Sequence, residues 1–330
     1  MQLTKYYRFL LLIVVALTSV RCGQSLPVGC PPTCEKANLR ARDLTNVDLA
    51  GANLTGVNLS SSELQWVHLH GAELSGANLR NAHLIGADLS GANLRGADLT
   101  GANLTQAILD NADLSGADLT KTILTGVDLT KQVTLTAVIL TEARLIGAKL
   151  WGVDLKGAQL AGADLRGANL VGADLSGANL GNSILKQGAI LRGADLRGIR
   201  LSGANLAYTN LTGTDISRAQ LDGVTTYLTE FGGANLTKST LAGAKLSFTT
   251  LSGVKLDVAN LASVRLLGVL LNGAALSGAN MQQVEFAPLQ YNLNKQPIAG
   301  VDLRGMGYDN QTQWPAGYKP PSSAVMEDQH

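Results

Sequence analysis

The 330-residue chain has few aromatic residues, cysteines and histidines, and its charges nearly cancel. Aromatic residues make up only 4% of it. The net charge of +1 argues against a polyanionic partner, and the dispersed lysines and arginines form no stripe that would bind nucleic acid. With only 3 cysteines and 4 histidines, no metal centre, cofactor site or nucleophile–base pair is predicted.

The N-terminal apolar segment is too short to cross a membrane. Phe9–Val20 has 12 residues, whereas a spanning helix needs about 20. Lys5 and Arg8 give this segment a positive start, so residues 1–25 are predicted to be a secretory signal peptide. An uncleaved membrane anchor is the alternative.

Small residues precede two candidate cleavage points, after Cys22 and after Ser25. A lipoprotein reading at Cys22 is weaker, because Ser19-Val20-Arg21 does not follow the expected order of one apolar and two small residues. We therefore expect an exported protein without a stable membrane span after cleavage. The compartment would be the periplasm, the extracellular space or, in a photosynthetic host, the thylakoid lumen.

One pentapeptide, Ala-(Asp/Asn)-Leu-x-Gly, fills the chain from Ala37 to Pro288. We call its leucine position the centre. There are 50 centres, and 45 of them are leucine. The position two residues before the centre is usually Ala or Val, and the residue between them is usually Asp or Asn. The five centres that are not leucine are Ile216, Thr226, Phe231, Met281 and Phe286.

This pattern predicts a short strand followed by a corner. The order small, polar, leucine is period-two alternation, which is typical of a half-buried strand. A helix needs apolar residues three and four apart, which a period of five cannot supply. Two steps of six residues interrupt the period, near Gln132 and Gly188, and the pattern resumes unchanged after each. Both insertions are therefore predicted to be corner bulges that leave the stack of coils continuous.

Tandem copies such as Ala87–Gly91 and Ala92–Gly96 resemble the pentapeptide-repeat family over about three quarters of the chain. The resemblance implies an all-β fold, a right-handed quadrilateral parallel β-helix of about 12 coils with one repeat on each side. Some family members bind DNA gyrase through a strongly acidic surface; the near-neutral charge and the export signal argue against that role. The predicted domains are the signal peptide (1–25), an N-terminal cap (26–36), the β-helix (37–288) and a C-terminal cap with a disordered tail (289–330).

In each predicted cap, two residues are expected to close or cover the end of the β-helix. Cys30 and Cys34 are predicted to form a small disulfide loop over the first coil, with two unpaired thiols as the alternative. Tyr308 and Trp314 are predicted to cover the last coil, and the chain after Pro320 is predicted to be disordered.

An exposed apolar stripe is predicted on one side of the repeats. Tyr208 and Phe248 are 40 residues, or two coils, apart, and each is the second residue after a centre. Tyr227 follows Thr226, the only polar centre, and Leu267 continues the same side. The stripe either shields a coil weakened at Thr226 or binds a protein or glycan partner.

No catalytic constellation interrupts the repeats, and an enzyme is not predicted. The function expected from the sequence is that of an exported, non-catalytic scaffold with an unknown protein partner and possible end-to-end or side-by-side homo-oligomers. A polysaccharide-binding or polysaccharide-active protein of the cell envelope is the alternative.

Overall fold

The structure is a computed structural model that describes residue 30 and residues 33–186, 188–286, 290–291, 297–299, 301 and 303–326. The predicted signal peptide lies outside these residues. The chain divides into two compact units, Met1–Arg144 and Leu145–His330. Each is described below by itself.

In the first unit, parallel bridges connect residues 20 apart, from Thr33↔Asn53 to Asn103↔Ile123. Four pentapeptides therefore make one coil. Centre amides donate to carbonyls one coil further on, as Leu54 N does to Glu73 O at 2.7 Å. The leucine centres are almost completely buried, and their axial stacking forms the core.

The corners of the coils are tight turns. The amide of Val57 donates to the carbonyl of Leu54 at 3.1 Å, and Gly56 between them has a φ of 62°. A positive φ at the third residue of a four-residue turn is the type II geometry, which glycine adopts without steric cost. The frequent glycine two residues after the centre follows from this requirement.

Both insertions lie at corners, as predicted. Around Gln132 the bridge spacing becomes 21, as in Asp113↔Thr134, and around Gly188 it becomes 21 in Asn169↔Ile190. Bridges continue on both sides of each insertion within its own unit, and the centres remain buried. The extra residue is thus absorbed in the turn and does not invert the later side chains.

The second unit contains the named strands. Four short parallel strands, β1 (Thr225–Tyr227), β2 (Lys245–Ser247), β3 (Arg265–Leu267) and β4 (Glu285–Phe286), form one sheet in chain order. β5 (Gln290–Tyr291) pairs antiparallel with β6 (Pro297–Ala299). β7 (Gly307–Tyr308) pairs parallel with β8 (Val325–Met326).

The array starts one repeat earlier than the sequence analysis placed it. Cys34 lies at a centre position, is 3% exposed, and donates its amide to Asn53 O at 2.7 Å. Its disulfide to Cys30, with the Cα atoms 4.8 Å apart, therefore attaches the incoming chain to the first coil. The boundary predicted at residue 37 is corrected to include Thr33 and Cys34.

The C-terminal segment forms a further coil in which aromatic residues replace leucine. Gly307 pairs with Ala275 and Gln313 with Asn280, so Tyr308 and Trp314 follow at centre positions. Tyr318 stacks on Phe286 with ring centroids 4.7 Å apart. The repeat at 301–305 is out of register in the sequence, but Arg304 lies in register in space, because Gly273 N donates to Arg304 O at 3.1 Å.

The tail prediction was wrong for residues 321–326. Pro321 accepts a hydrogen bond from Ala324 N at 2.9 Å, and Val325 N donates to Met306 O at 2.8 Å. These contacts place β8 beside β7 on the final coil. A sequence without the pentapeptide pattern gave no indication of this pairing.

Candidate interaction surface

The predicted stripe lies on the side of the second unit that carries β1–β4. The chain stays extended for one residue beyond the centre at Thr226, Leu246 and Leu266, which gives three-residue strands. Tyr227, Ser247 and Leu267 are in parallel register on this side.

The aromatic rings of the stripe are packed edge to face. The rings of Tyr208 and Tyr227 have centroids 5.4 Å apart at 69°, and those of Tyr227 and Phe248 are 5.6 Å apart at 76°. Packing leaves much of this surface open, because Tyr208 is still 51% exposed and Tyr227 41%. Phe248 and Leu267 are half-buried. The structure thus brings the three rings together and places Leu267 one coil further on.

The sequence analysis missed Leu228. It is the second residue after the Thr226 centre, in the same column as Tyr208 and Phe248, and it is 49% exposed. Positions 208, 228 and 248 are equivalent in successive coils. Checking this position in every coil, and not only in those with an aromatic residue, identifies Leu228 from the sequence. We define the apolar stripe as Tyr208, Tyr227, Leu228, Phe248 and Leu267.

Polar side chains border the apolar stripe. On one side Asn210 Nδ2 donates to Glu230 Oε2 at 2.8 Å, and on the other Arg265 Nε lies 2.7 Å from Glu285 Oε2. A polar rim around a partly exposed apolar centre is typical of protein contact surfaces.

Elsewhere several acidic side chains are paired with a neighbouring basic side chain, and Asp195 with Arg197 is one example. Arg197 donates Nε to Asp195 Oδ1 at 2.9 Å, and these hydrogen bonds lower the pKa of Asp195 against the opposing effect of burial. A surface cavity of about 430 Å³ beside this pair is lined by Ser176, Gly198, Ser217 and Arg218 as well as Arg197. No histidine or carboxylate is among the residues that line it.

The part of the chain that the structure describes contains no group of three or more His, Cys, Asp and Glu side chains placed to hold a metal ion. His83 Nδ1 instead contacts Glu63 Oε2 at 2.8 Å. Within the same described ranges, no helix is long and apolar enough to cross a membrane.

The model of the family "Pentapeptide repeats" matches the chain in 8 copies, over 34–71, 62–101, 97–131, 139–177, 152–187, 188–225 and 229–257. Together these ranges cover well over half of the sequence. No curated protein sequence matches.

Similar solved structures include pentapeptide-repeat proteins. HetL from Nostoc sp. strain PCC 7120, described as involved in heterocyst differentiation regulation, is 29% identical, with 83% of this chain and 92% of HetL covered and a TM-score of 0.27. A protein of the Arabidopsis thaliana thylakoid lumen is 33% identical over 36% of this chain and 70% of its own, with a TM-score of 0.24. QnrB1, a plasmid-mediated fluoroquinolone resistance protein, is 22% identical over 66% and 91%, with a TM-score of 0.27.

Proposed function

The chain belongs to the pentapeptide-repeat family, and from that premise we propose that it is an exported, non-catalytic scaffold that binds a protein partner through the apolar stripe. The observation that carries this proposal is the stripe's exposure after its own packing is complete. Tyr208 and Leu228 remain about half exposed although ring packing and the three-residue strands already order this side.

The alternative role of the stripe is to shield a weak coil, and the surroundings of Thr226 argue against it. Thr226 is 4% exposed, and its hydroxyl lies 2.6 Å from that of Thr249. The hydrogen bond offsets the desolvation cost of the buried hydroxyl, so exposed rings are not needed to relieve it. The stripe therefore exposes apolar surface that is not needed to stabilise the coil at Thr226.

The edge-to-face packing also favours a protein partner over a glycan. Stacking of a sugar needs an open ring face, and several sugars in a row need faces in one plane. Interplanar angles of 69° and 76° turn successive rings away from a common plane. A protein surface, in contrast, adapts side chain by side chain to ridges and grooves.

Export is proposed from the N-terminal segment and the disulfide. Lys5 and Arg8 precede a 12-residue apolar run, Phe9–Val20. A disulfide such as Cys30–Cys34 is retained in oxidising compartments. The proposed locations are the periplasm, the extracellular space or the thylakoid lumen.

The test compares wild type with Tyr208→Ser/Phe248→Ser, with Leu228→Ser, and with Trp151→Ser as control. Trp151 is 53% exposed in the same unit but outside the stripe. Bait proteins are incubated with extract of the native compartment, and melting temperature and mass in solution are measured on each. The proposal is supported if wild type and the control capture a protein that both stripe variants fail to capture. The melting temperature of Leu228→Ser should then be unchanged.

Two results would contradict it. Equal capture of the partner by wild type and all three variants would show that the stripe does not bind it. Self-association that disappears only in the stripe variants would instead assign the surface to a homo-oligomer.

A further inference from the structure

Trp66, an exposed aromatic residue outside the apolar stripe, lies at a corner of the first unit. It follows the centre Leu64 by two residues and has a φ of 56°, which is uncommon for a bulky side chain. Its side chain is 51% exposed. Tryptophan is less stable than glycine in this backbone conformation, and glycine occupies most of the equivalent corners.

The indole of Trp66 lies flat on the next coil. A Cβ atom built on Gly86 would be 2.2 Å from both Cε3 and Cζ3 and 2.7 Å from Cδ2. These three distances place the added atom above the ring and not at its edge. One face of the indole therefore covers the Gly86 backbone, and Trp66 as a whole remains 51% exposed.

A fixed polar network runs along the adjoining side of the same coils. Glu63 Oε2 accepts from Gln65 Nε2 at 2.6 Å and contacts His83 Nδ1 at 2.8 Å. Thr45 Oγ1 donates to Gln65 Oε1 at 3.1 Å. Hydrogen bonds from Gln65 and His83 hold the pKa of Glu63 below its usual value, so the carboxylate is ionised at neutral pH.

The network leaves an acceptor exposed. The contacts described for Glu63 both use Oε2, and 44% of its side chain remains accessible. Among the residues that the structure describes, no donor contacts Oε1. Glu63 thus lies three residues before the exposed Trp66, and both side chains reach the next coil, Glu63 at His83 and Trp66 at Gly86.

We propose that Trp66, Glu63 and Gln65 form a subsite for one pyranose ring of a neutral glycan. The C–H groups on one face of a pyranose pack on an indole, while its hydroxyls donate to a carboxylate or exchange hydrogen bonds with an amide. The ionised Glu63 repels uronic acids, which is why the glycan is neutral. This subsite is separate from the apolar stripe and does not depend on the protein-binding role proposed for it.

The experiment titrates the intact secreted chain with cellotetraose, maltotetraose and chitotetraose, and with a tetragalacturonate as the acidic control. Binding is followed by calorimetry and by NMR of the Trp66 indole N–H. At least one neutral oligosaccharide is expected to bind with a Kd of about 1 mM. The acidic control is expected to bind at least about tenfold more weakly, because charge repulsion opposes it.

Variants separate binding from folding. Trp66→Gly is expected to lose binding at least about tenfold while the melting temperature stays equal or rises, because glycine prefers a positive φ. Glu63→Gln is expected to weaken binding, and Trp151→Phe, the matched control, to leave it unchanged. Absence of binding by every neutral oligosaccharide up to about 10 mM, or undiminished binding by Trp66→Gly, overturns the proposal.

Discussion

The hydroxyl oxygens of Thr226 and Thr249 lie 2.6 Å apart inside the second unit, and both residues are buried. The Thr249 hydroxyl donates to Ser247 O at 3.0 Å, so the proton between the two threonines belongs to Thr226. The only polar centre of the array is satisfied by a residue 23 positions later in the chain.

Thr249→Val is expected to destabilise the protein by about 1–3 kcal/mol, because it leaves the buried Thr226 hydroxyl without its acceptor. Adding Thr226→Leu should recover most of this loss, since the equivalent positions Leu206 and Leu246 already accept leucine. Urea unfolding of the single and double variants measures both effects.

Thr229→Val is the matched control for that cycle. The Thr229 hydroxyl donates to Leu206 O at 2.7 Å, and that carbonyl keeps a second donor, Thr209 N, at 3.1 Å. Its loss should cost about 1 kcal/mol or less. A Thr249→Val variant as stable as the control would show that the Thr226 hydroxyl finds another acceptor.

The period of five was sufficient to predict the coil, its buried centres and the corner position of both insertions. Each of these depends on local alternation, and Leu54 or Leu165 is buried for the same reason as every other leucine centre. Family resemblance added the number of sides and the handedness, which periodicity alone does not contain.

Features that break the period were not predictable in the same way. Cys34 holds a centre but lacks the leucine that identifies one, so the first coil was placed too late. Tyr308 and Trp314 lie at centre positions, but the residues before them break the period, and the sequence does not indicate where the pattern resumes. The Thr226–Thr249 pair joins two coils through a contact that no local pattern encodes.

Leu165→Asp is expected to unfold or aggregate the second unit. Leu165 is 0% exposed, and a carboxylate placed there has neither solvent nor a partner, at a cost of several kcal/mol. Val171→Asp introduces the same charge at a position that is 40% exposed and should change stability by about 0.5 kcal/mol or less. Circular dichroism melting distinguishes the two, and similar curves for both variants would refute the inward placement of Leu165.

The pair of Arg197 and Asp195 predicts a small loss of stability in acid. Hydrogen bonds from Arg197 depress the pKa of Asp195 in the folded state, so its contribution is present above the unfolded pKa and is lost as pH falls through the folded one. Because 60% of the Arg197 side chain and 29% of the Asp195 side chain are accessible, solvent screening should keep the loss of stability small.

Arg197→Gln should raise the pKa of Asp195 toward its ordinary value, as measured by carbon-detected NMR titration of the carboxyl groups. Asp164, whose Arg166 partner is intact, is the internal reference. An Asp195 pKa that does not move would show that backbone contacts, and not the guanidinium, stabilise the carboxylate.

Gly86→Ala tests the contact with Trp66 directly. Gly86 and Gly91 have nearly equal φ values, +66° and +63°, but a Cβ on Gly91 meets no atom within 4 Å, whereas one on Gly86 would overlap the Trp66 ring. Gly91→Ala should therefore cost only the backbone term of about 1–2 kcal/mol. Gly86→Ala should cost more in urea unfolding, or displace the indole and shift its fluorescence to the red. In a Trp66→Gly background the two alanine substitutions should cost the same. Equal costs in the wild-type background, with unchanged emission, would mean that Trp66 does not rest on Gly86.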